Sequence, residues 1–142
     1  MAITAGVANQ FKMDVLIGVH NLTLAADAIW MALYPSGGTV APTNATYPGT
    51  GEHAATGTYV AGGKVLTNIT PVLNGTEGCA SFQPITWAAS TITAAGAQIY
   101  NLTKSSKSIA VLSFGGDKTS SAGDFAVTFP AQTATNAIVR IT

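Results

Sequence analysis

Histidine and cysteine are the residues best suited to metal binding or nucleophilic catalysis, and this chain has only three of them. His20 and His53 are not spaced as a ligand pair, and Cys79 is distant from both in the sequence. Because a zinc site needs three or four nitrogen, sulfur or oxygen ligands close together, we expect no metal. Cys79 follows Gly78 in a short β-rich run, which favours a buried, unreactive thiol over a nucleophile.

The carboxylates and glycines form no catalytic motif either. The acidic residues are scattered singly along the chain: Asp14, Asp27, Glu52, Glu77, Asp117 and Asp124. They do not form the clustered loop that calcium requires. The Gly-Gly pairs at 37, 62 and 115 lack the rest of a phosphate loop or a dinucleotide fingerprint. Since general acid–base catalysis has so few possible participants here, we expect neither an enzyme nor a cofactor.

The low charge of the chain excludes further classes of partner. Only 8% of the 142 residues are charged, against roughly 25% in a typical soluble domain, and the net charge is zero. Six lysines and arginines cannot neutralise many phosphates, so no nucleic-acid partner is expected. A neutral surface suits a protein that works within an assembly, and a monomer with a threonine-rich surface is the alternative.

Membrane insertion and secretion are not expected. No apolar run approaches the roughly 20 residues of a membrane helix, and the N-terminal residues lack the basic and apolar regions of a signal peptide. We therefore expect synthesis in a cytoplasm and no membrane partner.

One helix is predicted near the N-terminus. Residues 5–19 have an apolar stripe at helical spacing, formed by Val7, Phe11 and Val15. Lys12 and Asp14 fall off this stripe, and Gly18 is a suitable stop. The alternative for this segment is an extended arm that pairs with a neighbouring subunit.

The rest of the chain is typical of short strands. They are predicted at 27–35, 65–69, 78–84, 86–93, 97–100, 109–114, 125–129 and 136–142. Within 93–130 the polar, glycine-rich gaps predict a three-stranded antiparallel meander. In its middle strand Ile109 and Val111 should share a face, and in its last strand Phe125, Val127 and Phe129 should do so.

Residues 36–58 show no periodicity and are rich in proline, glycine and threonine. Loops of this length inside a compact domain are usually functional, so this loop is the first candidate for a surface that meets a partner. The sequence as a whole predicts a single mainly β domain over 1–142. Its expected form is an antiparallel β-sandwich or jelly-roll-like barrel with one N-terminal α-helix, residues 1–20 forming an arm and the helix.

A set of motifs extends over nearly the whole chain. They are Ile3-Thr-Ala-Gly, Asn9-Gln-Phe-Lys, Leu16-Ile-Gly-Val-His, Ala32-Leu-Tyr, Tyr59-Val-Ala-Gly-Gly, Leu66-Thr-Asn, Trp87, Thr91-Ile-Thr-Ala-Ala-Gly-Ala-Gln-Ile-Tyr-Asn, Ala110-Val-Leu-Ser-Phe-Gly-Gly-Asp-Lys and Phe125-Ala-Val-Thr-Phe-Pro. With these motifs the chain resembles a family of small virion structural proteins of tailed bacteriophages, whose genes often lie near the capsid genes.

The resemblance implies a capsid decoration, or cement, protein made in the bacterial host cytoplasm and located on the capsid surface of the virion. Its partners would be the major capsid protein and further copies of itself, as a dimer or trimer. Residues 1–20 and the loop 36–58 are the expected docking surfaces. The expected contact residues are Ile3, Phe11, Lys12, Tyr47, Glu52 and His53.

Two other functions remain open from the sequence. The first is a structural component of the tail or neck. The second is a glycan-binding β-sandwich, which would need a solvent-exposed aromatic platform, with Trp30, Tyr47 or Tyr59 as its candidates.

Overall fold

The computed structural model describes residues 2–142, and its central element is a five-stranded antiparallel sheet. The strands are β1 (Gly6–Val7), β2 (Ile29–Tyr34), β3 (Lys64–Val65), β4 (Asn68–Asn74), β5 (Glu77–Phe82), β6 (Ile85–Ser90), β7 (Thr93–Asn101), β8 (Lys107–Thr119), β9 (Gly123–Val127) and β10 (Val139–Ile141). The helices are α1 (Asn9–Leu16) and a short 3-10 helix (Leu102–Lys104). The large sheet has the order β1-β8-β7-β2-β3, and the smaller sheets are β10-β5-β4 and β6-β9. The predicted fold class is confirmed: a mainly β, antiparallel sandwich with one N-terminal helix.

The main core lies between the large sheet and the two smaller ones. Strand β2 shows how the sequence builds it, because Ile29, Met31 and Leu33 alternate onto this face and are fully buried. The smaller sheets contribute Phe82 and Trp87 to the same cluster. Helix α1 closes one side of this core with Phe11.

The opposite face of the large sheet is also covered. Ala32 and Tyr34 of β2 form a second buried cluster there with Val111 of β8. The cover consists of Ile3 from the N-terminal segment and of Val40 and Tyr47 from the long loop. A sheet apolar on both faces needs such a cover, so the loop 36–58 completes the fold as well as forming surface.

The predicted three-stranded meander is wrong in its last strand. Strands β7 and β8 pair as expected, but β9 pairs with β6 in a separate sheet. The predicted alternation in β9 is nevertheless present, since Phe125 is buried while Ala126 and Thr128 are exposed. Phe125 lies against Trp87 of β6, with ring centroids 6.4 Å apart, so aromatic packing across the two strands accompanies the pairing.

A β-bulge changes the faces of β8. Ile99 pairs with Ala110 and Tyr100 pairs with Ser108, which leaves Ile109 as the extra residue. Ile109 and Ala110 therefore both join the main core, and Val111 joins the second cluster. The prediction that Ile109 and Val111 share a face is wrong for this reason.

The predicted helix is shorter than expected. Val7 belongs to strand β1, where it pairs with Ala110, and the helix begins only at Asn9. Gly18 ends it as predicted: at φ +69 its N–H donates to Val15, while the next N–H donates to the carbonyl of Asp14 at 2.9 Å. Asp14 itself was expected off the apolar stripe but is completely buried.

The strand predicted at 65–69 is divided between two sheets, because β3 ends at Val65 and β4 begins at Asn68. Strand β4 contains Pro71, and the β4–β5 register shifts between Ile69 and Val72. Proline has no N–H for the ladder, so a shift at this position of an edge strand is its expected effect. No helix in residues 2–142 is long and apolar enough to cross a membrane.

Candidate functional site

Glu52, in the long loop, lies at the centre of a cluster that contains all four tyrosines of the chain. The Tyr59 hydroxyl donates to its Oε1 atom at 2.5 Å, and the Tyr47 hydroxyl donates to its Oε2 atom. The backbone N–H of Gly62 donates to Oε1 at 2.8 Å. Three donors thus converge on one carboxylate, which is a strong, charge-assisted arrangement.

The same cluster fastens the loop to the large sheet. The ring of Tyr47 stacks on Tyr100 of β7, with centroids 4.5 Å apart and planes 14° apart. The Tyr100 hydroxyl donates to the carbonyl of Gly62 at 2.6 Å. The Tyr59 hydroxyl also accepts the N–H of Leu33 in β2 at 2.8 Å. The carboxylate of Glu52 therefore connects two loop segments to the central strands.

The electrostatics of the cluster keep its phenols neutral. Burial raises the pKa of Tyr34, Tyr47 and Tyr59, and the negative charge of Glu52 raises it further. Burial and Glu52 likewise raise the pKa of Tyr100 to about 12. Neutral phenols donate to the carboxylate, so the cluster is arranged to hold structure and offers no activated nucleophile.

A second polar cluster joins helix α1 to the large sheet. The carboxylate of Asp14 accepts from Gln10 at 2.9 Å and from Lys107 of β8 at 3.1 Å. Its Oδ2 atom lies 3.4 Å from Nε2 of His20. Burial alone would raise the pKa of Asp14, but the hydrogen bonds from Gln10 and Lys107 and the positive charge of Lys107 outweigh burial, so the pKa is lowered.

Each ring nitrogen of His20 faces a polar group. While Nε2 faces Asp14, Nδ1 lies 3.0 Å from the amide nitrogen of Asn101, which also donates to Asp27 at 2.7 Å. Nδ1 must accept from Asn101, so Nε2 carries the proton and points to the carboxylate. Burial lowers the pKa of His20, and the neighbouring carboxylate only partly counteracts this. Nε2 of His20 and Oδ2 of Asp14 face each other across 3.4 Å without a hydrogen bond, so the imidazole is a buried contact between α1 and the β7–β8 connection.

The remaining candidate residues for chemistry are separated. Cys79 is buried, and its thiol lies 3.6 Å from the carbonyl oxygen of Glu77. His53 contacts the carbonyl oxygen of Ala54 through Nδ1 at 2.7 Å and accepts the N–H of Thr93 at Nε2. Within residues 2–142 no three histidine, cysteine or carboxylate side chains are grouped so that they could hold a metal ion.

The residues expected to contact a partner fall into three environments. Ile3 and Phe11 are buried in different clusters of the core, so their side chains offer little surface. Tyr47, Glu52 and His53 are half-buried and bonded within the chain. Lys12 is exposed on α1 and has no hydrogen bond or ion pair with the described residues.

Sequence reasoning missed the partners of these residues. The sequence predicts strands that contain Tyr34 and Tyr100, and nothing in their spacing indicates that they lie near Glu52. Nothing in the sequence pairs Asp14 with His20. The useful signal was Gly18, because a helix that stops there turns the chain back and carries His20 towards the face that holds Asp14.

Most of the exposed large apolar side chains belong to a few segments of the chain. Ten large apolar side chains are exposed in the described chain, and seven of them belong to α1, the segment that follows it, β4 and β10: Met13, Leu16, Ile17, Leu24, Val72, Leu73 and Ile141. The other three are Val60, Val65 and Leu102. Leu16 is 86% exposed and Leu73 is 75% exposed.

Grooves connect these elements. One groove of about 340 Å³ lies between α1 and β10, and another of about 310 Å³ runs from α1 past β10 to β5. Phe11, Val15, Val139 and Ile141 line both of them. We call the surface formed by α1 and β10 around the first groove the α1–β10 face.

No family model, no curated protein and no solved structure matches this chain.

Proposed function

We propose that this chain is a non-enzymatic structural protein of a bacteriophage virion, and specifically a capsid decoration protein that binds the outer shell. The sequence resemblance to small virion proteins motivates the proposal. The observation that carries it is the set of exposed large apolar side chains on α1, β4 and β10, together with the apolar grooves that α1 and β10 line. Large exposed apolar surface on a small protein marks a surface that another protein covers.

The polar clusters support an assembly role rather than a catalytic one. In the Glu52 cluster both carboxylate oxygens accept internal hydrogen bonds, and in the Asp14–His20 cluster Oδ1 of Asp14 and Nδ1 of His20 do so. Both clusters connect surface segments to the central sheet. A decoration protein has to remain rigid while many copies bind a shell together, because weak contacts add up only when each copy presents its surface in a fixed geometry.

The glycan-binding alternative finds less support in the aromatic residues. Tyr59 is fully buried, and the hydroxyl of Tyr47 is used by Glu52. Trp30 packs against the second core cluster. None of the eleven phenylalanine, tyrosine and tryptophan side chains is fully exposed, so the described chain lacks the open ring platform that sugars stack on.

Copy number in the particle tests the proposal directly. Purified virions of the phage that encodes this chain should be digested and quantified by mass spectrometry against the major capsid protein. A copy number comparable with that of the capsid protein is expected for a decoration protein. A few copies per particle would instead indicate the tail or neck, and absence from the particle would refute a virion role.

A further inference from the structure

The α1–β10 face carries positive charge beside its apolar groove. Lys12 on α1 and Arg140 on β10 are both exposed and both line this groove. The other lining residues are Val7, Phe11, Val15, Leu16, Val139, Ile141 and Thr142, so no acidic side chain contributes to it. The chain has only six lysines and arginines in total, and two of them flank this one groove.

Of the other four cations, three lie in surroundings that contain a carboxylate, and Lys64 donates to the carbonyl of Thr86 at 2.8 Å in another part of the molecule. Lys107 lies 3.1 Å from the carboxylate of Asp14, and Lys104 lies 4.0 Å from that of Asp27. Lys118 shares its groove with Asp124. Lys12 and Arg140 have no such carboxylate neighbour among the ion pairs of the described residues. The Arg140 guanidinium donates to the carbonyl of Ala134 through Nη1 at 2.7 Å, which leaves its other N–H groups for a partner.

Strand β10, next to the groove, also has one edge without a paired strand among the described residues. Strand β10 ends its sheet and pairs only with β5. A further groove, of about 440 Å³, separates β10 from strand β1, the edge of the large sheet, and shares Val7, Arg140 and Thr142 with the first. An edge strand beside an open groove can accept an extended peptide as an additional strand.

From this combination we propose that the α1–β10 face binds an extended segment of a partner protein, in which apolar side chains are flanked by carboxylates. The apolar side chains occupy the groove over Phe11, Val15 and Val139, and the carboxylates meet Lys12 and Arg140. Charge complementarity selects an acidic segment over a neutral or basic one. This inference rests on the proposed function in one respect: on a virion, the segment belongs to the major capsid protein.

Nuclear magnetic resonance titration tests the groove without any virion. The probe is the capped peptide Ser-Glu-Ile-Asp-Val-Glu-Ser, and the control peptide replaces each acidic residue with lysine. The acidic probe should shift the amide resonances of β10 and α1 in the full-length protein, and the basic peptide should not. In the Lys12→Glu/Arg140→Glu variant the preference should reverse. Absence of shifts, shifts elsewhere, or equal shifts with both peptides would overturn the proposal.

Binding to shells then separates this inference from the proposed function. Undecorated capsid shells are incubated with wild-type protein, with Lys12→Glu/Arg140→Glu and with Lys118→Glu, which changes an exposed lysine in a different groove. We expect the double variant to bind about tenfold more weakly and the Lys118 variant to bind normally. Equal binding by all three would overturn the groove as the docking site and leave the capsid role standing. No binding by wild type would refute the capsid role, and the peptide titration would still decide the groove.

The single variant Lys12→Glu separates a loss of binding from a loss of folding. Because the Lys12 side chain has no hydrogen bond or ion pair with the described residues, its reversal should leave the thermal unfolding curve unchanged. It should still weaken binding of the acidic probe several-fold. A folded Lys12→Glu protein that binds the probe as wild type does would also contradict the proposal.

Discussion

The carboxylate of Asp14 and the imidazole of His20 lie 3.4 Å apart in the interior, between helix α1 and the large sheet. Asp14 is fully buried, and its other oxygen accepts from Lys107 and Gln10. The opposite nitrogen of His20 accepts from Asn101, which in turn donates to Asp27. This chain of contacts connects the helix to the β7–β8 connection, so the attachment of the helix depends on which of these groups are protonated.

We predict that acid weakens the attachment of α1 through His20. Burial lowers the pKa of His20 in the folded state, so the unfolded chain binds the proton first as the pH falls. The stabilisation that neutral His20 provides is present above about pH 6.5, the unperturbed value, and is lost as the pH falls towards the folded pKa. Urea unfolding between pH 7.5 and pH 5 should show wild type losing stability, and His20→Gln should have a flatter profile. Identical pH profiles would contradict this role.

We predict that two lysines of the same hairpin differ in importance. Lys107→Met leaves the buried carboxylate of Asp14 without its cation, which should lower the free energy of unfolding by about 2 kcal/mol. Lys104→Met is the matched control, because Lys104 is 4.0 Å from Asp27 and its side chain is 41% exposed. Its effect should stay below about 0.5 kcal/mol. Chemical denaturation of both variants measures the difference, and equal losses would disprove it.

We predict that Glu52→Gln loosens the long loop. The amide presents an NH₂ group where the carboxylate accepted from Tyr47, Tyr59 and Gly62, so a charge-assisted bond is lost at a cost of about 2 kcal/mol. Hydrogen exchange should become faster at the amide of Gly62. The matched control is Asp124→Asn, an exposed residue at a strand start that should change stability by less than about 0.5 kcal/mol. Unchanged exchange at Gly62 would contradict the anchoring role.

We predict that the tyrosines of the folded protein resist ionisation. Burial and Glu52 raise the pKa of all four, that of Tyr100 to about 12, whereas a free phenol titrates near pH 10. The neutral phenols therefore stabilise the fold up to about pH 10, and this contribution is lost as the pH rises further. The phenolate absorbance should stay low at pH 10 and rise at once when the protein is unfolded in urea. Reversible titration of two or more tyrosines near pH 10 in folded protein would refute this.

The fold was predictable where local pattern decided it. The alternation around Phe125 in β9 and the helix stop at Gly18 could be predicted from the sequence, because side-chain period and turn chemistry act within a few residues. The pairing of the strands could not be predicted from the sequence. Phe125 of β9 pairs with Trp87 of β6, a residue distant along the chain, and the bulge at Ile109 has no signal in the sequence.

The polar clusters were unpredictable for the same reason. Glu52 meets Tyr100, and Asp14 meets Lys107, only after the long loop and the helix have packed on the large sheet. The sequence predicts that Tyr47, Glu52 and His53 lie at the surface, because they belong to a loop without periodicity. In the structure the loop packs against the second apolar face of the sheet and covers it.

We predict that Gly63→Ala destabilises the protein strongly for two separable reasons. Gly63 has φ +82, which an L side chain rarely adopts, and a Cβ atom there would overlap the carbonyl oxygen of Met31 in β2. The expected loss in the free energy of unfolding is more than about 2 kcal/mol. Gly75→Ala is the control, since Gly75 has φ +64 but an added Cβ meets no atom within 4 Å. Gly75→Ala should lower the free energy of unfolding by only about 1 kcal/mol, because only the left-handed backbone conformation is unfavourable there. Urea denaturation of both variants gives the comparison, and a Gly63→Ala loss no larger than that of Gly75→Ala would show that β2 can move away from this turn.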